Sequence, residues 1–339
     1  MIVKAPGVVK LLGEHAVVYG RLAIAMGIKL YAKARVSKTK SKTLAIDIPQ
    51  LNIKGRFGKE ELEQLYSSYK SKRDIADYLA KQHIDQNVLP FATIAARMLG
   101  EFKIDPTGNK VSMHSDIPIQ KGLASSAALS TVFVVGLLKS TRSRLEDSQI
   151  IDLSRDGDRV IHLNENAGRI DVSTAFYGGY TTFSSANGAK REDIQTAINL
   201  LIIDTGPKKS TAHTVGHVAE LYKNDKATTE KILDQIDECS VKGLDALKRK
   251  DLRALGKCMY DDQMLLEKLG VSSESLEKAV DAAKKCGAYG AKLSGGGGGG
   301  IAIALVRGKK ERLLSDLNSC GFTVLNSKVS FIGAKSFLD

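Results

Sequence analysis

Apolar and polar residues alternate over short stretches of the chain and follow helical spacing over longer ones. A period of two is typical of strands, whereas apolar residues three or four apart indicate one face of a helix. The pattern predicts strands at residues 2–5, 8–12, 23–36, 110–114, 180–183, 200–204, 301–306 and 322–331. It predicts helices at residues 59–78, 89–102, 129–138 and 145–163, within 211–285, and at 309–320. The chain therefore mixes strands and helices, and its second half reads as an α+β domain.

The length of 339 residues exceeds what one hydrophobic core comfortably supports, which favours two domains. Residues 184–191 are small and polar, so we expect the domain boundary there and two domains spanning residues 1–185 and 186–339. Hydrophobic residues make up 43% and charged residues 26% of the chain. These proportions are those of a globular protein and exclude a disordered or fibrous one.

The longest apolar run, residues 129–138, is shorter than the roughly 20 residues that a membrane-spanning helix needs. The N-terminal residues lack the apolar segment and cleavage site of a secretory signal. We therefore expect a cytoplasmic protein with no membrane partner.

The chain carries a net charge of +12, from 50 lysines and arginines against 38 aspartates and glutamates. Such a field attracts polyanions, from a nucleotide to a nucleic acid. The absence of tryptophan and the aromatic content of 6% argue against a base-stacking surface, so no nucleic-acid partner is expected. Four cysteines without metal-ligand spacing predict buried, reduced thiols.

The most informative segment, residues 116–128, leads from a predicted strand into a predicted helix. A backbone that turns sharply into a helix presents free amides and the positive end of the helix dipole to an anion. Ser125 and Ser126 add two hydroxyls that could donate hydrogen bonds or bind a metal. An N-capped helix, whose serines satisfy its own first-turn amides, is an equally weighted alternative.

A second segment has six consecutive glycines, Gly295 to Gly300, after Lys292-Leu293-Ser294 and before an apolar strand. Ordering each glycine costs on the order of 1 kcal/mol relative to alanine, and close approach of the backbone to a ligand would offset that cost. The alternative is a flexible tether, which the direct join to the strand disfavours. Neither glycine-containing segment matches a P-loop or a Rossmann fingerprint.

A third segment, residues 13–20, reads Gly-Glu-His-Ala-Val-Val-Tyr-Gly between two predicted strands. Glu14 and His15 together could bind the hydroxyl and carboxylate groups of a small substrate. The alternative is a structural histidine, which is the commoner role of a single histidine.

Together these three segments resemble the motifs of the GHMP kinases, and residues 13–20 resemble specifically those of the mevalonate kinases within that family. Residues 170–179 are similar to the family's catalytic-aspartate segment, and residues 204–211 to its strand and turn after the domain boundary. The likeness spans residues 5–305. It implies a two-domain α+β fold, with a ribosomal-protein-S5-domain-2-like N-terminal domain, a ferredoxin-like C-terminal domain, and both substrates in the cleft between them.

The resemblance also implies ATP and Mg²⁺ as cofactors and phosphorylation of the 5-hydroxyl of mevalonate. Asp171 would be the general base or the electrostatic partner of a lysine. The implied nucleotide-binding residues are Lys121, Gly122, Leu123, Ala124, Ser125, Ser126, Ala127, Ser294, Gly296, Gly297 and Gly298. The implied substrate residues are Glu14, His15, Tyr19 and Thr174. Ser126 and Asp158 would bind Mg²⁺, with Asp158 preferred over Asp156 and Glu165.

The chain departs from the family pattern in two of the segments. The family usually reads Ala-Pro-Gly-Lys, with that lysine paired to the catalytic aspartate, whereas this chain has Val8 there and its nearest lysine at Lys10. Residues two apart on a strand share a face but are displaced by roughly 7 Å, so Lys10 is a catalytic candidate at an altered place. In the phosphate loop Lys121 stands where the family has a small residue, and Ala124 replaces a glycine. Lys121 would contact a phosphate or be a solvated loop lysine.

Two alternatives remain at the level of the sequence. Another GHMP kinase, acting on phosphomevalonate, a sugar or homoserine, would share the same loops, although Ala16-Val17-Val18 disfavours a sugar. A non-catalytic nucleic-acid-binding protein would use the +12 charge but leave the glycine run unexplained. A homodimer is a further expectation that the sequence leaves open.

Overall fold

The computed structural model of the protein describes residues 1–69, 87–119, 121–162, 169–206, 211–306 and 310–338. The strands in these ranges are β1 (Ile2–Leu12), β2 (Ala23–Lys38), β3 (Leu44–Ile48), β4 (Ile53–Phe57), β5 (Asn109–Ser115), β6 (Tyr180–Ser184), β7 (Gly188–Glu192), β8 (Asn199–Asp204), β9 (Gly290–Ser294), β10 (Ile301–Leu305) and β11 (Thr323–Lys328). They form two separate sheets, as a two-domain chain requires.

The helices in the same ranges are α1 (Lys59–Tyr69), α2 (Leu89–Gly100), α3 (Ser125–Thr141), α4 (Asp147–His162), α5 (Arg169–Tyr177), α6 (Thr211–Asn224), α7 (Lys226–Arg249), α8 (Leu252–Lys268), α9 (Glu274–Lys285) and α10 (Lys310–Ser319). The predicted helix at residues 59–78 is seen as α1, and its remainder lies outside the described residues. The predicted helical block at 211–285 consists of four helices, because Asp225, Asp251 and Ser273 each cap a new helix with a side-chain oxygen.

The first sheet has seven strands in the order β4-β3-β5-β2-β6-β7, with β1 pairing with β2. All its pairs are antiparallel except β3 with β5. The β1–β2 register shifts between Pro6 and Gly7 and again between Lys10 and Leu12. Such irregularities bend a strand and change where its side chains point. They fall on the part of β1 that leads into the candidate site.

Helix α3 is the centre of the first domain. Residues 127–138 of this helix are all buried, and it packs on β1, β2 and β5 as well as on α4 and α5. A helix that is apolar all round is stable only when it is enclosed in this way. The enclosure fixes the position of its N-terminus, where the sequence predicts an anion site.

The second sheet has the antiparallel order β11-β8-β10-β9, with helices connecting β8 to β9 and β10 to β11. In chain order this arrangement is 4-1-3-2, the ferredoxin-like βαββαβ topology. The expected fold of the C-terminal half is thereby confirmed.

The polar stretch at residues 184–191 is not a linker in this structure. Residues Gly188–Glu192 form β7, which pairs with β6 in the first sheet. The chain passes from the first sheet to the second between residues 192 and 199. Small polar residues here form a hairpin at the sheet edge, where side chains stay solvated. The proposed division into residues 1–185 and 186–339 stays a prediction.

The C-terminal residues return to the first domain. The predicted strand at 322–331 ends at Lys328, and Ser330 N then donates to Gly27 O at 2.7 Å. A 3₁₀ helix, Ala334–Phe337, packs beside α3 and α5. These contacts tie the two domains together on the side of the first sheet.

All four cysteines are unpaired, as the sequence predicts, although burial differs among them. Cys239 and Cys258 are buried, Cys286 is half-buried and Cys320 is exposed. The expectation of buried thiols is therefore wrong for Cys320, which lies just beyond the end of α10. Within the described ranges, none of the helices has the length and apolar character needed to cross a membrane.

Candidate active site

The N-terminus of α3 has first-turn backbone amides that its N-cap side chain does not satisfy. Its N-cap is Ala124, whose methyl group cannot accept a hydrogen bond, and Ala124 adopts the left-handed conformation with φ 55°. The Ser125 hydroxyl lies 3.1 Å from the Ser115 hydroxyl, and Ser126 is partly exposed. Because the cap residue satisfies none of the first-turn amides through its side chain, the alternative of a conventionally capped helix is disfavoured. The arrangement suits an anion.

Lys121 precedes this turn and reaches across the cleft. Its Nζ lies 2.7 Å from Asp204 Oδ2, at the end of β8 in the second domain. The other oxygen of Asp204 accepts a hydrogen bond from Gly206 N at 2.9 Å. Both side chains of the ion pair are about one-third exposed, at 37% and 29%. Lys121 is therefore not an isolated solvated lysine, and it sits beside the phosphate-loop candidate.

Lys10 and Asp171 form an ion pair at the centre of the site. Lys10 Nζ lies 2.6 Å from Asp171 Oδ1 and 2.7 Å from Oδ2, so it contacts both carboxylate oxygens. Asp171 is in the first turn of α5, and Lys10 is near the end of β1. The structure thus brings together the two residues that the sequence suggested as a catalytic pair.

Val8, at the position of the family's usual lysine, is fully buried. Its backbone N donates to Leu123 O at 3.0 Å, which joins β1 to the phosphate loop. The register irregularity between Lys10 and Leu12 lies immediately beyond Lys10. The roughly 7 Å displacement expected from an ideal strand does not keep Lys10 away from Asp171, because the long lysine side chain and the irregular strand end close that distance.

Ser294 connects this pair to the glycine run. Its hydroxyl accepts from Lys10 N at 2.9 Å and donates to Lys10 O at 3.1 Å. The glycines that follow are anchored rather than loose, since Gly298 N donates to Val271 O at 2.8 Å and Gly300 O accepts from Thr205 N at 2.9 Å. These bonds argue against a flexible tether.

One glycine of the run is required by close packing. Gly297 has φ 76°, and a Cβ atom there would lie 2.0 Å from Val271 O. No residue with a side chain fits that space without moving the backbone. The run therefore keeps a fixed path between Val271 and Thr205.

Glu14 and His15 lie directly against the glycine run and β9. His15 has φ 60°, is buried, and its Nε2 lies 3.0 Å from Gly296 O. Glu14 is also buried, and its Oε1 accepts from Lys292 Nζ at 2.5 Å. A turn with such a backbone conformation is held by its tertiary contacts. The two residues thus join the first domain to β9 and the glycine run.

The family models for the GHMP kinase N-terminal and C-terminal domains match residues 90–179 and 244–322. A mevalonate kinase of Saccharolobus solfataricus is 32% identical over 324 residues, covering 93% of each chain. The chain belongs to the mevalonate kinases of the GHMP family. A mevalonate kinase of Archaeoglobus fulgidus is 29% identical, covering 92% of this chain and 94% of its own.

The fold agrees with this membership. The crystal structure of the Methanococcus jannaschii mevalonate kinase superimposes with a TM-score of 0.80 at 28% identity, covering 97% of this chain and 98% of that one. The α+β, two-domain GHMP-kinase fold expected from the sequence is confirmed. ATP is the phosphate donor that GHMP kinases use.

Ser126 and Asp158 are the residues expected to bind magnesium. Ser126 is partly exposed at the N-terminus of α3, which suits a hydroxyl that joins ATP phosphates around an ion. Asp158 is buried on α4. In the described parts of the chain, no group of three or more His, Cys, Asp or Glu side chains converges on a metal position. The role of Asp158 stays a prediction.

Two of the expected substrate residues, Thr174 and Tyr19, make their contacts away from the Glu14–His15 turn. Thr174 is fully buried, and its hydroxyl donates to Ile170 O at 2.7 Å within α5. The Tyr19 ring stacks on the Tyr222 ring of α6, with centroids 4.7 Å apart. Thr174 therefore faces its own helix, whereas Tyr19 remains partly exposed at the rim. The role of Thr174 in substrate binding stays a prediction.

Sequence reasoning missed three charged residues of this region: Asp204, Asp262 and Lys292. Lys292 and Asp262 are fully buried, and Lys292 bonds Glu14. A lysine inside a strand as apolar as β9 was a signal in the sequence, because a buried lysine needs a carboxylate partner. Asp262 carried no comparable signal, since acidic residues are common on the exposed faces of helices such as α8.

Proposed function

We propose that this protein transfers the γ-phosphoryl group of ATP to the 5-hydroxyl of mevalonate, with Mg²⁺ as the metal ion. The observation that carries the proposal is the Lys10–Asp171 ion pair, placed beside the open N-terminus of α3 and the anchored glycine run. Membership of the mevalonate kinases supports mevalonate over the other GHMP substrates.

The phosphate-loop backbone would hold the triphosphate. Amides of residues 122–127 and the dipole of α3 favour its negative charge, and Lys121 adds a full positive charge within the same loop. The expected contacts of Ser294 and of Gly296 to Gly298 would close the other side. A bound Mg²⁺, held by the phosphates and the Ser126 hydroxyl, would neutralise charge on the transferred group.

The reacting alcohol would lie against Asp171. Its carboxylate would accept the proton of the attacking hydroxyl, while Lys10 Nζ, in contact with both carboxylate oxygens, would stabilise negative charge on the attacking oxygen. Glu14 and His15, with Tyr19 at the rim, would hold the rest of the substrate. Phosphoryl transfer needs mainly this positioning and charge stabilisation.

The direct test is a coupled assay of ADP release with purified protein, ATP, MgCl₂ and mevalonate, run beside phosphomevalonate, galactose and homoserine. Mevalonate should be the preferred acceptor, and Asp171→Asn should lower kcat by about 10²–10⁴-fold while ATP still binds. Asp193→Asn, at an exposed position outside the cleft, serves as the control. Absence of mevalonate-dependent ADP release at millimolar substrate would refute the proposal, and faster turnover of another acceptor would reassign it.

The assay also separates the enzyme from the nucleic-acid alternative, which requires salt-sensitive RNA or DNA binding without turnover. Cytoplasmic residence and a homodimer stay predictions. Cell fractionation and sedimentation of the purified chain test them.

A further inference from the structure

Three buried charged side chains meet beside the turn that carries His15. Lys292 and Asp262 are both 0% exposed, and Glu14 is 4% exposed. They come from three elements of the fold: Glu14 follows β1, Asp262 lies on α8 and Lys292 on β9. The cluster therefore spans both domains and includes Glu14, one of the proposed substrate residues.

The lysine is shared unequally by the two carboxylates. Lys292 Nζ donates to Glu14 Oε1 at 2.5 Å and to the backbone O of Leu293 at 2.6 Å. Its distance to Asp262 Oδ2 is longer, 3.6 Å. Among the described residues, Glu14 Oε2 has no hydrogen-bond partner, and the oxygens of Asp262 are approached by Lys292 Nζ and by the backbone N–H of Gly13 without a hydrogen bond of normal geometry. Lys292 thus bonds Glu14 and only approaches Asp262.

The charges of the cluster do not balance when all three groups are ionised. Two carboxylates and one ammonium leave a net charge of −1 where water has no access, which is strongly unfavourable. Burial raises the pKa of Asp262 to about 7; the attraction of Lys292 and the backbone N–H of Gly13 oppose this rise, and the repulsion of Glu14 adds to it. The thiol of Cys239, facing from α7, is neutral because burial raises its pKa to about 12. A proton on Asp262 restores the balance.

The cluster supports a strained turn. Gly13 has φ 91° and His15 has φ 60°, on either side of Glu14. A histidine keeps this conformation only where its surroundings impose it. The contacts that do so are His15 Nε2 to Gly296 O and Glu14 Oε1 to Lys292 Nζ. Loss of the second contact would remove a side-chain anchor of the turn.

We propose that Asp262 and Lys292 are positioning residues of the substrate site. Asp262 carries a proton in the active enzyme, so Lys292 stays hydrogen-bonded to Glu14 and holds the Glu14–His15 turn in place. The inference rests on the proposed function, in which this turn binds mevalonate. When Asp262 loses its proton, it competes with Glu14 for Lys292 and adds negative charge near an anionic substrate. Both effects weaken mevalonate binding.

The expected kinetic result follows from one ionisation near pH 7. KM for mevalonate should rise about tenfold between pH 6 and pH 8, because the protonated fraction falls about tenfold for each pH unit above the pKa. Asp262→Asn, which has the same shape and cannot ionise, should keep a low KM for mevalonate across this range. KM for ATP should follow the same pH dependence in both proteins.

The neighbouring Asp261, half-exposed on the same helix, provides the matched control, and Asp261→Asn should behave as the wild type. The inference is overturned if wild type and Asp262→Asn show the same pH dependence of KM for mevalonate. It is also overturned if the substitution changes KM for mevalonate and for ATP in parallel, since that result indicates general damage.

A measurement without substrate separates this inference from the proposed function. The raised pKa of Asp262 means that the folded protein loses stability relative to Asp262→Asn as pH rises from about 4 to about 7, and the difference is constant above that. The Tm advantage of Asp262→Asn should therefore grow from pH 5 to pH 7 and then level off. If Asp262→Asn does not fold, ¹³C NMR titration of the wild-type aspartate carboxyls supplies the same test.

The outcomes are distinct. A Tm advantage of Asp262→Asn that grows from pH 5 to pH 7, without mevalonate turnover, would refute the proposed function and support the protonated cluster. Mevalonate turnover with a pH-independent Tm difference, or with no carboxyl titrating near pH 7, would refute the inference and leave the function standing.

Discussion

Lys10 Nζ contacts both carboxylate oxygens of Asp171, at 2.6 and 2.7 Å, from a strand position two residues beyond the one that carries lysine in the family pattern. Strand β1 is irregular at this end, where its register with β2 shifts between Lys10 and Leu12. The hydroxyl of Ser294 bonds both backbone groups of Lys10 and fixes it in place. The ion pair of the candidate site is thus built from a different position of the same strand.

Removal of the Lys10 ammonium should reduce turnover more than stability. Lys10→Met keeps the length of the side chain, and we expect kcat to fall by about 10²-fold or more because the charge on the attacking oxygen loses its partner. Steady-state kinetics with mevalonate and ATP measures the effect. Lys4→Met, exposed on the same strand, is the control and should retain full activity. Unchanged kcat in Lys10→Met would show that the pair is structural.

Restoring a lysine at the family position should not rescue that variant. Val8 is fully buried, and its backbone bonds the phosphate loop, so Val8→Lys places an unpaired charge in the core. We expect Val8→Lys/Lys10→Met to be inactive and to melt well below Lys10→Met. Recovery of kcat in the double variant would contradict the altered placement described above.

The Lys121–Asp204 ion pair should compete with ATP for the lysine. Lys121→Met should raise KM for ATP by about tenfold, the usual effect of losing one charge-assisted hydrogen bond to phosphate. Asp204→Asn keeps an acceptor for Gly206 N but frees Lys121, and should lower KM for ATP about two- to threefold, as a partly exposed ion pair is weak. Kinetics at varied ATP and saturating mevalonate measures both. Unchanged KM for ATP in Lys121→Met would mean that Lys121 only bridges the domains.

Ala124 should be a site of stored backbone strain. An alanine at φ 55° is less favourable than glycine by about 1–2 kcal/mol, partly offset by the larger chain entropy of glycine. Ala124→Gly should therefore stabilise the protein by about 0.5–1 kcal/mol, seen as a higher Tm. Ala127→Gly, buried within α3, should instead lower the Tm. A lower Tm for Ala124→Gly would show that another contact holds this turn.

The four thiols should react in order of exposure. Cys320 is exposed, whereas burial raises the pKa of Cys239 to about 12 and raises the pKa of Cys258. Because the thiolate is the reactive form, a disulfide reagent at pH 8 should modify Cys320 first and the buried pair only on unfolding. Cys320→Ser should abolish the fast phase. A fast phase that survives this substitution would contradict the predicted order, since it would have to come from the half-buried Cys286 or from the buried pair.

The sequence by itself determined the local chemistry of the site. The apolar run of α3 predicted a buried helix, the preceding segment predicted an exposed helix N-terminus, and the six glycines predicted a backbone loop before β10. Such features depend on residues close in the chain, where periodicity, capping and glycine conformation act directly. The position of Asp171 followed from the similarity of its own segment to a family motif.

Tertiary structure alone decided which distant residues meet. Lys10 reaches Asp171 because an irregular strand end meets α5, Lys121 reaches Asp204 because two domains face each other, and Asp262 meets Lys292 because α8 packs on β9. The polar stretch before residue 192 forms a hairpin because it pairs with the open edge of β6. These contacts depend on strand register, domain placement and burial. The local pattern of apolar and polar residues does not predict any of these.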